Sequence, residues 1–192
     1  MRWITFILFA YGFLAVQIGF GDLLEINEIR PDWLFILAVF IAAMAPTSEA
    51  LWSAVILGLL ADLTASYPTT SHADLTIVGA HALGYALGAS LTLQLRTMLF
   101  RQHPVSLTLM VFLSALAANL MTVFLVSLRW LFGDWFALWT AFQWSPTEEL
   151  VDRFLMVLYT SALTLPVTWA LIRLSPLFSF EIHPRYLHVW HR

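Results

Sequence analysis

The chain has 192 residues, of which 60% are hydrophobic, 15% aromatic and only 11% charged. A water-soluble domain carries about 25% charged residues, so with a mean hydropathy of +0.81 much of this surface faces a bilayer rather than water. The net charge of −3 argues against a nucleic-acid partner, and the absence of cysteine removes disulfides, thiol catalysis and thiolate metal sites.

The first apolar run, Trp3–Phe20, follows Met1-Arg2. It exceeds the ~7–15-residue apolar core of a signal peptide and lacks a small-x-small cleavage site, so it reads as a retained first span. With charges taken as boundaries, five more spans follow. They are Trp33–Ala45, Ala50–Ala61, Leu75–Leu95, Pro104–Leu128 and Phe154–Ile172. A crossing helix needs about 20 apolar residues. Spans two and three fall short of that, so they are either a re-entrant hairpin or two crossings completed by Asp32 and Asp62. The fold class expected is an all-α integral membrane protein, a bundle of about six transmembrane helices forming one polytopic domain over residues 1–192.

Arginine placement sets the orientation. With the N-terminus cytoplasmic, Arg2, Arg96, Arg101, Arg173, Arg185 and Arg192 lie inside, and Arg30, Arg129 and Arg153 outside. That bias places both ends in the cytoplasm. Residues 129–147 hold Trp130, Trp135, Trp139 and Trp144. Indoles favour the headgroup layer, so 134–144 reads as a short helix lying on the outer interface. Ser145, Pro146 and Glu148 form a helix-start signature ahead of the last span. The tail, 173–192, is basic and aromatic. It reads as adsorbed to the inner leaflet, or as a dock for a cytoplasmic partner. Its histidines, His183, His188 and His191, are a poor metal set on a chain end.

Ionisable groups near the membrane interior are the candidate functional residues. Asp62 closes span three, and His81 lies about 9 Å into span four at ~1.5 Å per residue. One reading leaves Asp62 solvated at the outer interface; the other bonds it to His81 and ties the two spans. Ala80, Gly84 and Gly88 recur at spacing four, with Tyr85 beside them, the small-xxx-small pattern of close helix packing. Further small pairs are Ala15/Gly19, Ala38/Ala42, Ala61/Ala65 and Ser114/Ala118. Each seam serves packing within the chain or against another protein. Asn119 and Thr122 form a polar patch, either interhelical or substrate-facing. Pro31-Asp32 is ordinary helix-start chemistry.

No HExxH, phosphate-cradling glycine loop or Ser-His-Asp arrangement appears, and no chain of intramembrane acids. Ser90, Ser114 and Thr122 are the hydroxyls a hydrolase would have to pair with His81. No enzyme activity and no cofactor or metal is expected.

"RPDWLFILAVFIAA", "ALWSAVILGLLADL" and "TIVGAHALGYALGASL" together resemble MreD, the rod shape-determining membrane protein family. The positions that carry the resemblance are Pro31, Asp32, Gly58, Asp62, Gly79, His81 and Tyr85, over about residues 30–95. The loop at 66–78 looks longer than the family's short turn, and the Trp-rich segment and aromatic tail look particular to this chain. The resemblance implies a bacterial cytoplasmic-membrane protein without catalytic activity. It implies as partners MreC, a bitopic protein, and the elongation complex of RodA, a class B penicillin-binding protein and, indirectly, MreB filaments, which make peptidoglycan. It also implies a fold similar to the substrate-binding S components of energy-coupling-factor transporters. From that comes the alternative expectation, a small-molecule binder with Asp62, His81, Tyr85 and Asn119 lining a pocket.

Overall fold

A computed structural model describes residues 3–21, 23–26, 29–65, 78–98, 103–133 and 146–178. Six helices follow in order: α1 (Trp3–Gly19), α2 (Trp33–Met44), α3 (Thr47–Thr64), α4 (Ala80–Leu95), α5 (Pro104–Gly133) and α6 (Pro146–Leu174). A single 3₁₀ turn, η1 (Ser175–Phe178), ends the described chain. There is no strand among the described residues; between α1 and α2, Ile26 and Ile29 exchange two backbone hydrogen bonds.

The sequence of α2, WLFILAVFIAAM, has no polar face. A helix apolar all round belongs in an interior, and every residue from Leu34 to Ala43 is buried. α2 touches all five other helices, while α3–α4, α4–α5 and α5–α6 pack as successive neighbours around it. α1 lies on the rim, against α2, lightly against α3, and against η1.

Glycines sit at three close crossings. A Cβ on Gly58 of α3 would lie 2.5 Å from the Ala82 Cα and 2.8 Å from the His81 carbonyl oxygen of α4. On the other face of α4, a Cβ on Gly84 would meet the Ala118 carbonyl oxygen of α5 at 2.9 Å, and one on Gly88 would meet the Phe35 ring of α2 at 2.9 Å. α4 is therefore held between α3, α5 and α2, with backbones near contact.

Three stretches are long and apolar enough to cross a bilayer: Thr47–Thr64, Pro104–Leu128 and Glu149–Phe178. Trp3–Gly19 and Trp33–Met44 are apolar but shorter. α4 starts at Ala80 rather than Leu75, so His81 is its second residue and not a deep one, while α3, α5 and α6 outrun their charge-bounded spans, α3 and α6 at both ends. α3 starts at Thr47 rather than Ala50, with Glu49 in its first turn, and α6 starts at Pro146 rather than Phe154. Acids in a first turn face the positive end of the helix dipole and do not stop a helix. Residues 134–145 and 179–192, and the Trp130 side chain, lie outside the described residues, so Trp130, Trp135, Trp139, Trp144 and the tail histidines are not placed. Ser145 and the Glu148 side chain fall there too.

Candidate functional site: a polar layer at one end of the bundle

An aspartate two residues from the C-terminus of a helix sits at the unfavourable end of its own dipole. Asp62 occupies that position in α3 because its partner is α4. Gly79, the residue ahead of α4, has φ +106° and no side chain to cap with. The Asp62 carboxylate supplies the cap from across the interface. Its Oδ2 accepts the Gly79 and Ala82 N–H groups at 2.7 and 3.2 Å, and its Oδ1 accepts the His81 N–H at 2.8 Å. Three of the donors that any helix N-terminus leaves open are thereby satisfied. The His81 ring adds a fourth, with Nδ1 donating to Oδ1 at 2.9 Å. A carboxylate only accepts, so the ring proton sits on Nδ1. Asp62 is fully buried, and the side chain of His81 is 14% exposed.

Asp32 does the same work for α2, with partners on two other helices. Its Oδ1 accepts the Phe35 N–H at 3.0 Å, an ordinary N-cap bond. The Tyr85 hydroxyl of α4 donates to the same carboxylate, 2.6 Å from each oxygen. The Asp32 N–H donates to Thr160 Oγ1 of α6 at 3.0 Å. Gln17 of α1 takes the Leu34 N–H at 3.2 Å. The start of α2 thus joins α1, α4 and α6. Tyr85 is held edge-on to Phe35, ring centroids 5.0 Å apart.

Arg153 completes the layer. It is 8% exposed, and it lies inside α6, where the spans read from charge had no arginine. Its Nε donates to Glu149 Oε1 at 2.6 Å, and its Nη1 to Asn119 Oδ1 of α5 at 3.1 Å. Asp32 and Tyr85 both lie within its electrostatic reach. The sequence signal was the four-residue spacing of Glu149 and Arg153, which places both on one helix face. Asn119 was singled out as a polar patch; its amide also donates to the Ala115 carbonyl at 3.0 Å. Thr122 donates to the Ala118 and Ala80 carbonyls.

The opposite end of the bundle has one principal tie. Arg96, the C-cap of α4, donates from Nη1 to the Ala42 and Ala45 carbonyls at the end of α2, at 3.1 and 2.6 Å. A guanidinium on open C-terminal carbonyls is favourable both as a hydrogen bond and against the dipole.

The arrangement therefore brings Asp62 to His81, Asp32 to Tyr85 and Asn119 to Arg153, and closes α4's Ala80, Gly84 and Gly88 against α5 and α2. Among the described residues, the three candidate hydroxyls bond elsewhere than to His81: Ser90 bonds the Ala86 carbonyl, Ser114 pairs with Thr92, and Thr122 bonds backbone. Among the described residues no group of three or more His, Cys, Asp or Glu side chains is placed to hold a metal.

Apolar helices throughout the described residues, with Asp62 and Arg153 drawn inward, make this a multi-pass membrane protein. The model of the MreD family, rod shape-determining protein MreD, matches residues 1–173. The chain belongs to that family, and its role lies in rod-shape determination. Neither the curated proteins nor the solved structures contain a match.

Proposed function

We propose that the chain is a non-enzymatic membrane scaffold of the cell-elongation machinery, resident in the bacterial cytoplasmic membrane, with both ends cytoplasmic and the Asp62 end of the bundle outermost. It binds the single span of MreC by helix packing. Through MreC it serves RodA, the class B penicillin-binding protein and, indirectly, MreB filaments. The family match over residues 1–173 carries this reading. The polar layer supports it, because Asp32, Asp62, Tyr85 and Asn119 spend their hydrogen bonds on helix ends and on one another. No observation favours the transporter reading, whose pocket would need those same groups free.

Of the small-residue pairs in the sequence, Ala38/Ala42 and Ser114/Ala118 are buried inside the chain, and Gly84/Gly88 is closed by α5 and α2. Ala15 and Gly19 on α1 are exposed, and a Cβ on Gly19 would meet nothing within 4 Å. The MreC span belongs on that face. Gly19→Leu leaves the fold intact and lowers co-purification with MreC at least tenfold. Gly84→Leu, whose first added carbon already meets the Ala118 carbonyl, lowers the yield of folded protein instead. Wild-type recovery of MreC with folded Gly19→Leu protein would remove α1 as the docking face.

A further inference from the structure

α1 is the least embedded helix of the six. Among the described elements it packs on α2, lightly on α3, and on η1. Ile4 is 84% exposed and Tyr11 74%, so its outer side faces lipid or a partner. Two side-chain hydrogen bonds join it to the rest. At one end Gln17 takes the Leu34 N–H. At the other the Thr5 hydroxyl donates to the Leu177 carbonyl at 3.3 Å.

That second bond ends on a four-residue 3₁₀ turn, which is a weak element alone. Its last residue, Phe178, is nevertheless completely buried. The Phe178 ring sits 4.6 Å from the Phe9 ring of α1 and 5.9 Å from the Phe40 ring of α2, centroid to centroid. One side chain of η1 is therefore wedged between the peripheral helix and the central one. Above η1, α6 contains Pro166, which removes one helix hydrogen bond. Two residues on, within the continuous helix, the Thr168 hydroxyl donates to the Thr164 and Leu165 carbonyls. The part of α6 before the proline is fixed to α2 and α5 through Thr160 and Arg153. The part after it is fixed to α1 through η1. Residue 179, the start of the basic and aromatic tail, follows Phe178 directly.

We infer that η1 is a latch, with Phe178 as its bolt, and that the attachment of α1 to the bundle depends on it more than the packing of α3, α4 and α5 does. With Phe178 withdrawn from between Phe9 and Phe40, α1 is left held by Gln17 and by its packing on α2 and α3. The latch stands on the contacts alone; only the identity of what α1 carries rests on the scaffold reading.

Hydrogen–deuterium exchange on the full chain in lipid nanodiscs tests this without any partner present. Phe178→Ala is expected to speed exchange of α1 amides at least tenfold, with α3, α4 and α5 within twofold of wild type. Phe178→Leu, which keeps an apolar filler, is expected to speed α1 two- to threefold. Leu107→Ala, an equally buried position in α5, serves as the control and is expected to leave α1 no faster than the other helices. The latch is overturned by unchanged α1 exchange in Phe178→Ala. It is overturned equally by acceleration spread over α3 to α5, or by Leu107→Ala loosening α1 as much as Phe178→Ala does. Loss of MreC binding by Gly19→Leu alone leaves these rates untouched, so the two readings fail separately.

Discussion

Asp62 shows how much one buried carboxylate can organise. Four N–H groups converge on it, three from backbone and one from the His81 ring. Removing it takes that acceptor from all four, in a largely buried place. Breaking such a buried, charge-assisted set costs about 3–5 kcal/mol. Deleting the imidazole removes one donor and leaves the helix cap in place, a loss of about 1–2 kcal/mol. Thermal unfolding in detergent is therefore expected to rank wild type above His81→Ala, and His81→Ala above Asp62→Ala. Asp62→Asn falls between the last two, because its amide keeps one acceptor oxygen and turns the other position into a donor facing N–H groups. An Asp62→Ala variant as stable as His81→Ala would refute the capping role. The pairing of Asp62 with His81 was legible from position and hydropathy. The cap on Gly79 and Ala82 was not, because backbone donors leave no trace in a sequence and only Gly79, with its positive φ, hints that the helix lacks a cap of its own.

At the scale of elements, α2 poses a length problem. Its 12 residues reach only ~18 Å at 1.5 Å per residue, against a hydrocarbon core of about 30 Å. Its ends are tolerated at depth because other helices satisfy them. Asp32, Gln17 and Thr160 serve the first turn, and Arg96 serves the last carbonyls. An irregular backbone is admitted within a membrane where protein rather than lipid surrounds it. Arg96→Met keeps most of the side chain's length but loses the donors, so it is expected to destabilise the bundle by about 1–2 kcal/mol, seen as a lower melting temperature in detergent. Arg96→Lys recovers only part of that, since an ammonium lacks the planar fork that spans two carbonyls. Equal melting of Arg96→Met and wild type would mean the α2 end is satisfied elsewhere. The element order and type were readable from hydropathy because each apolar run is long and separated by polar residues. The starts of α3 and α6 were not, since charge was taken as a stop signal. Glu49 favours its helix end, and Arg153 is absorbed by Glu149 and Asn119. A buried arginine and an interfacial one look alike until the neighbouring helix is known.

For the whole molecule, the decisive question is whether α2 and α3 both cross. Polar ties at the ends of α2, α3 and α4 suit a bundle threaded through the bilayer, which in the proposed orientation puts the Ala45-Pro46 turn on the cytoplasmic side. A re-entrant hairpin would return that turn toward the outer side without changing the side on which α4 begins, so arginine counting is blind to the difference. The chain's lack of cysteine allows a clean measurement. Ser48, exposed in the first turn of α3, becomes the sole thiol in Ser48→Cys. If both helices cross, a membrane-impermeant maleimide modifies it in inside-out vesicles and leaves it unmodified in right-side-out spheroplasts. A re-entrant pair reverses or abolishes that asymmetry. The crossing geometry is favoured on energetic grounds, because in the proposed orientation Arg96 beside this turn belongs to the cytoplasmic face, and its bonds to Ala42 and Ala45 require the end of α2 to share its depth. Moving the turn to the outer side would drag a guanidinium through hydrocarbon or strip it from the carbonyls it holds, and both are costly by several kcal/mol.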